Sequence, residues 1–188
     1  SEKEISEDCK TNFNILQNLS LQRKNLKIKF YKSEKDIGWL KDCNIIVDAI
    51  LGSGFTGELK EPYSSIINSL NKISSFKCAI DVPTGLNSDT GYCDVVFKSD
   101  LTVTLGEFKK GLFIGGGYEF CGEVVLKEIG IGTDYFNSIS PDTYLIEPED
   151  VYSNLPIREK SVHKYSAGKV LMIAGSYKYP GAASLTSQ

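Results

Sequence analysis

The chain has 188 residues, 41% hydrophobic and 24% charged, with 21 Lys plus Arg against 24 Asp plus Glu for a net charge of -3. This balance excludes a wholly disordered chain, the length allows one domain or one plus part of another, and the slight acidity argues against nucleic-acid binding by bulk electrostatics. No apolar run reaches the roughly 18 residues that span a bilayer, so neither a membrane nor a nucleic acid is an expected partner. The charged start, SEKEISEDCK, lacks an apolar signal core. Five cysteines (Cys9, Cys43, Cys78, Cys93, Cys121) never form CxxC, and His163 is the single histidine. A Cys/His zinc site of the usual spacing cannot be assembled from these, and reduced thiols in a cytosolic setting are expected.

Ile5, Cys9, Phe13, Leu16 and Leu19 recur at spacings of three or four, predicting a helix over residues 3–21 with one apolar face. Leu26 to Phe30 (LKIKF) alternates like a strand. Ser33 with Asp36 three residues on predicts a helix N-terminus before Ile37, Trp39 and Leu40. Asn44 to Leu51 (NIIVDAIL) is nearly all apolar and β-branched, as in a strand buried on both faces of a parallel sheet. A glycine-rich loop follows, and Glu61 and Pro62 then open a helix with Ile66, Ile67, Leu70 and Ile73 on its apolar face. Lys77 to Val82, Leu101 to Leu105 and Glu123 to Ile129 are further strands. Strands alternating with helices imply βαβ units and a parallel sheet.

The order breaks after about Ile131. Residues 132–166 carry Pro141, Pro148 and Pro156 with little periodicity and read as a linker. Lys169 to Ala174 (KVLMIA) predicts a fresh buried strand, and the chain stops soon after. One strand and part of a helix cannot bury a core of their own, so this end reads as the start of a second domain. At the front, a helix stands where an open α/β sheet usually starts with a strand, so an N-terminal strand and loop are expected to precede residue 1.

In open α/β sheets ligands bind beyond the carboxyl ends of the strands. Asp48, followed by Gly52, Ser53, Gly54, Phe55, Thr56, Gly57 and Glu58, stands at one such end. Glycines let backbone amides approach a phosphate beside a helix N-terminus, or they simply make a tight turn. The loop is neither a Walker loop nor GxGxxG. Asp81, with Pro83, Thr84, Gly85 and Asp89, stands at a second end. An acid closing an apolar strand is costly unless paired or used. It either caps the turn at Thr84 and Gly85 or does chemistry. Lys109 and Lys110 after a third strand hold a phosphate or an acidic partner, or are a solvated pair. Gly115 to Gly117 form a flexible turn that either approaches a ligand or, as the simpler reading, serves as a connector.

Four ordered motifs carry a specific resemblance: IVDAILGSGFTGELKEPY, AIDVPTGLNSDTG, DLTVTLGEFKKGL and CGEVVLKEIGIG. Over about residues 1–132 the chain resembles the NAD(P)H-hydrate epimerase domain, also called the YjeF N-terminal domain. From His163 to Leu185 it resembles the opening of the ADP/ATP-dependent NAD(P)H-hydrate dehydratase, a ribokinase-like domain. The resemblance divides the chain into an epimerase domain (1–140), a linker (141–162) and the beginning of a dehydratase domain (163–188). The implied fold is α/β: a Rossmann-like three-layer sandwich with a mostly parallel sheet, followed by the first strand of a ribokinase-like domain.

The resemblance further implies interconversion of the R and S forms of hydrated NADH and NADPH, a small-molecule NAD(P)H-hydrate substrate, and ADP or ATP for the dehydratase part. It implies a potassium ion held by Asp48 and by Thr84, where relatives usually have Ser. Gly52 through Glu58 would be the substrate loop and Asp81 a substrate contact and catalytic acid. Lys109 is a further expected substrate contact, either neutralising a phosphate or supporting the acid, and Ala182 is one for the dehydratase. Homo-oligomers are an expectation from resemblance alone. Such domains also carry an N-terminal glycine- and asparagine-rich loop; residue 1 is expected to lie shortly after it, and these 188 residues alone are expected to be impaired as an epimerase. A related domain is a non-catalytic dimerising scaffold in mRNA decapping. Retention of Asp48, Asp81 and both loops, together with the dehydratase-like tail, argues for the enzyme. On this reading both carboxylates, Asp48 and Asp81, converge on one dinucleotide-sized hollow.

Overall fold

A computed structural model describes residues 6–132, 135–136, 138–155 and 169–187. By compactness the chain divides into Ser1–Ser140 and Pro141–Gln188.

In the first unit, helix α1 (Glu7–Gln22) starts where Ser6 Oγ accepts from the Cys9 amide at 3.2 Å. No α1 residue is buried, and Phe13 meets Phe30 edge to face at 6.1 Å. Leu26–Phe30, predicted as a strand, joins no ladder among the described residues. Alternation supplies a face, but a strand is held by a neighbour's amides and carbonyls. The start signal at Ser33 is realised as a 3-10 helix, Glu34–Asp42. Asp36 accepts from the Lys32 and Ser33 amides, each at 2.8 Å, and Ile37 and Leu40 pack on the core.

Four strands follow: β1 (Ile45–Asp48), β2 (Phe76–Ile80), β3 (Leu101–Leu105) and β4 (Glu123–Lys127). They form one all-parallel sheet in that order, the parallel sheet that alternating strands and helices predicted and the Rossmann-like α/β fold that the family resemblance implied. Helix α2 (Tyr63–Asn71) lays Ile67 and Leu70 against Ile46, Ala79 and Phe97, with Leu59 and Ile73 completing the cluster. Each such side chain contributes about 1.5–3 kcal/mol by leaving water. A second cluster gathers Val82, Leu86, Val96, Leu112 and Cys121, closed by α3 (Gly116–Phe120). Gly115–Gly117, read as a connector, leads into and begins that helix.

Burial of β1 on both faces is not what the structure shows. Ile46 and Asp48 are buried, while Ile45 and Val47 are 59% and 58% exposed. β1 is an edge of the described sheet, and the core cluster lies on one face only.

In the second unit, α4 (Pro148–Asn154) lies inside the stretch read as linker. Pro148 fits the first helical turn, and Asp150 accepts from the Glu147 amide at 3.0 Å. The buried strand predicted at Lys169–Ala174 is corrected: the segment has no ladder partner among the described residues, and Val170, Leu171 and Ile173 are exposed. An apolar run becomes a buried strand only when other elements cover it. Ala182 lies exposed in α5 (Gly181–Thr186). His163 falls outside the described residues.

Candidate active site

Three successive strands deliver the predicted residues to one end of the sheet. Asp48 closes β1, Asp81 directly follows β2, and Lys109 lies four residues beyond the end of β3. Parallel pairing puts all three carboxyl ends on the same side.

Asp48 and Thr84 form one tight group. The Thr84 amide donates to Asp48 Oδ2 at 2.8 Å, and the Thr84 hydroxyl donates to Oδ1 at 2.8 Å. The Ile50 amide also reaches Oδ1, at 3.2 Å. The Leu51 amide donates to Thr84 Oγ1 at 3.1 Å, so the loop after β1 is sewn to the loop after β2. Asp48 is only 1% exposed. Burial pushes its carboxyl above the ordinary value, and the three donated hydrogen bonds pull it part of the way back. Gly85 takes φ of +97°, and a Cβ there would sit 2.0 Å from the Val95 carbonyl oxygen. Only glycine allows the turn that carries Thr84.

Asp81 is built differently. It adopts φ of +70°, the left-handed region, which a short polar side chain tolerates better than most. Its Oδ2 accepts from the Ser53 amide at 3.0 Å, and Oδ1 receives Lys109 Nζ at 2.6 Å. Their side chains are 18% and 19% exposed. Partial burial raises the Asp81 carboxyl, but the Lys109 hydrogen bond and charge, with the Ser53 amide, outweigh it and hold the group below its ordinary range.

Gly52 is the residue that lets the loop close on Asp81: a Cβ there would lie 3.0 Å from Asp81 Oδ2. Phe55 donates its amide to the Gly52 carbonyl and tucks its ring against the core. Gly54, Thr56, Gly57 and Glu58 stand exposed along the rest of the loop.

Two residues escaped the sequence reading. Ser88 is buried, and its hydroxyl donates to the Ser53 carbonyl at 3.0 Å. Ser53 is thus held by its amide from Asp81 and by its carbonyl from Ser88. Thr104 is fully buried and accepts from Lys109 Nζ at 3.1 Å. Its signal was a polar residue on the inward face of LTVTL, where each buried hydroxyl demands a partner.

The two acids do not face one hollow as predicted. Asp48 is buried while the Asp81 side chain keeps 18% exposure, the two being linked through Ser53, Leu51 and Thr84. Clefts of about 670 and 550 Å³ lie elsewhere, the first along Lys41–Asn44 and Ser74–Lys77 and the second beside Lys29, Phe30 and Trp39.

An open, all-parallel sheet with charged side chains at adjacent carboxyl ends defines an α/β domain of Rossmann-like form. The family model described as "YjeF-related protein N-terminus" matches residues 1–111, and the chain belongs to that family. Among similar curated proteins are bifunctional NAD(P)H-hydrate repair enzymes Nnr. The Coxiella burnetii enzyme is 38% identical over 77% of this chain and 30% of its own length. The Archaeoglobus fulgidus enzyme is 42% identical over 78% and 29%. The Methanothermobacter thermautotrophicus enzyme is 32% identical over 97% and 34%. The chain therefore spans about a third of the length of these relatives. No described helix is long and apolar enough to cross a membrane.

Proposed function

We propose that this chain carries the epimerisation of hydrated NADH and NADPH, interconverting the R and S forms at ring carbon 6, with Asp81 as the catalytic group. The observation that carries the reading is the partly exposed Asp81 carboxylate, fixed between the Ser53 amide and Lys109 at the carboxyl end of β2. The relatives named as NAD(P)H-hydrate repair enzymes support it.

Hydration places a hydroxyl on the carbon next to the ring nitrogen. The nitrogen lone pair expels it as water when a proton reaches its oxygen. The planar cation then takes water on its other face, and that water gives up a proton. A single carboxyl group serves both transfers, and as an anion it stabilises the cation between them. The loop from Gly52 to Glu58 would hold the dinucleotide beside it through exposed amides.

A potassium ion at Asp48 and Thr84 belongs to the same proposal. Among the described residues no group of three or more His, Cys, Asp or Glu side chains could hold a metal. A group-1 cation uses neutral oxygens as well as a carboxylate, and the residues fit in one respect: Asp48 is a buried charge held by neutral donors alone. When bound, the ion would supply the missing positive charge and lock the two loops together. Coupling to ADP/ATP-dependent dehydration, with Ala182 contacting that substrate, belongs to the proposal through the resemblance of residues 163–185; that the relatives are longer than this chain and are named bifunctional supports it.

The test is to add enzymatically made R-hydrate to the full natural polypeptide and follow S-hydrate by chromatography. Turnover that disappears in Asp81→Asn, with circular dichroism unchanged, is expected. Unaltered turnover in that variant removes Asp81 from the mechanism, and RNA-dependent binding without turnover selects the scaffold reading.

A further inference from the structure

Lys109 offers three ammonium protons, and all three are already given away. One goes to Asp81 Oδ1 at 2.6 Å, one to Thr104 Oγ1 at 3.1 Å and one to the Leu105 carbonyl. A lysine that grips a substrate phosphate needs at least one free donor. This one has none without breaking a bond inside the protein, and Thr104, its hydroxyl partner, is fully buried.

We propose that Lys109 is a positioning residue that acts through Asp81, supplying and recovering the proton of the epimerisation, and that it does not grip the substrate. The inference rests on the functional reading above and deepens it.

A proton leaves Lys109 Nζ for Asp81 and passes on to the departing hydroxyl oxygen. The carbon–oxygen bond breaks with its electron pair going to oxygen, and the ring nitrogen lone pair forms the carbon–nitrogen double bond. Lys109 is then a neutral amine and the ring carries the positive charge, so the net charge of the site is unchanged. A permanently cationic neighbour would repel the nascent ring cation, whereas a lysine that has given up its proton does not. The neutral amine keeps two N–H groups on Thr104 and Leu105, which leaves its lone pair facing Asp81. Water adding to the opposite face releases its proton to solvent water, which carries it round to Asp81, and Lys109 recovers it.

Arginine tests this directly, because it keeps the charge and hydrogen bonds but does not release a proton in proteins. In the full polypeptide, Lys109→Arg and Lys109→Ala should each lower kcat at least about a hundredfold, the scale of a lost general acid–base group, with KM changed less than about threefold. Methylamine or ethylamine added to Lys109→Ala should restore turnover in proportion to amine concentration, and guanidine should not. Recovery by an amine also proves the variant folded. Near-normal kcat in Lys109→Arg overturns the relay, as does guanidine matching the amines. A rise in KM with kcat intact makes Lys109 a substrate ligand and overturns it too. No turnover by the unsubstituted protein is a separate result, defeating the functional reading and this one with it.

Discussion

The carboxylate of Asp81 and the backbone amide of Ser53 meet at 3.0 Å, so the acid after β2 and the glycine-rich loop after β1 move as one piece. Gly52 makes this possible by having no side chain. In Gly52→Ala the new methyl would press on Asp81 Oδ2 at 3.0 Å, and the carboxylate must give by a few tenths of an ångström. Misplacement by about 1 Å costs about a hundredfold in rate; a loss of about tenfold in kcat is expected here. Thermal unfolding should change little, since the site is partly open. Kinetics and melting on the same sample check both halves.

Ser88→Ala removes the hydroxyl that holds the Ser53 carbonyl. The lost hydrogen bond should cost about 0.5–1.5 kcal/mol. The loop beyond Ser53 should loosen, raising KM more than it lowers kcat, because Asp81 and Lys109 are untouched. An unchanged KM would show that the Ser53 amide alone fixes the loop.

Thr84 separates hydroxyl from methyl. Thr84→Ser keeps the bonds to Asp48 and from Leu51 and should cost about 1 kcal/mol for a buried methyl-sized gap. Thr84→Val keeps the volume but leaves Asp48 Oδ1 with the Ile50 amide alone and strands the Leu51 amide, at a cost of about 1–3 kcal/mol. Denaturant melts should therefore rank Ser above Val.

The two acids give opposite pH signatures. Asp81 is held below its ordinary value, so its stabilising effect is present above the ordinary carboxylate range and is lost as pH falls through the lowered folded value. Asp48 is raised by burial, so the folded state favours its protonated form. That contribution is full below the ordinary value of 3.8 and disappears as pH rises through the raised one. Asp81→Asn should flatten the acid-side loss of stability in a pH series of melts. Asp48→Asn should remove the opposing trend and lower stability overall, because an amide presents a donor to the Thr84 amide.

Potassium should raise the melting temperature in a concentration-dependent way, following mass action on the folded state. Tetramethylammonium at equal ionic strength should not. The effect should vanish in Asp48→Asn; a response retained there would place the cation elsewhere.

Much of the sheet was legible because buried parallel strands announce themselves as short apolar runs. NIIVDAIL, KCAIDV, LTVTL and EVVLKEI all contain observed strands, and Ile67 and Leu70 mark the buried face of α2. LKIKF and KVLMIA have the same local look but pair with nothing among the described residues, because pairing is a property of neighbours and not of the run. At the site, Asp48, Asp81 and Lys109 were legible as charges at strand ends. Their partition was not. Whether a carboxylate turns to Thr84 or to Ser53 depends on backbone angles that composition does not carry. Ser88 and Thr104 escaped because hydroxyls are common, and only burial reveals what each one holds.

The left-handed backbone at Asp81 sets this position against the other described residues apart from glycines. Everywhere else along the sheet, residue type and backbone angle agree; here a side chain is kept where glycine would sit more easily. Asp81→Gly should relax that turn even as it strips the proton carrier and leaves Lys109 without its anion. How far the melting point falls, compared with Asp81→Asn, measures how much conformational tension the scaffold tolerates in order to keep one reactive group partly exposed.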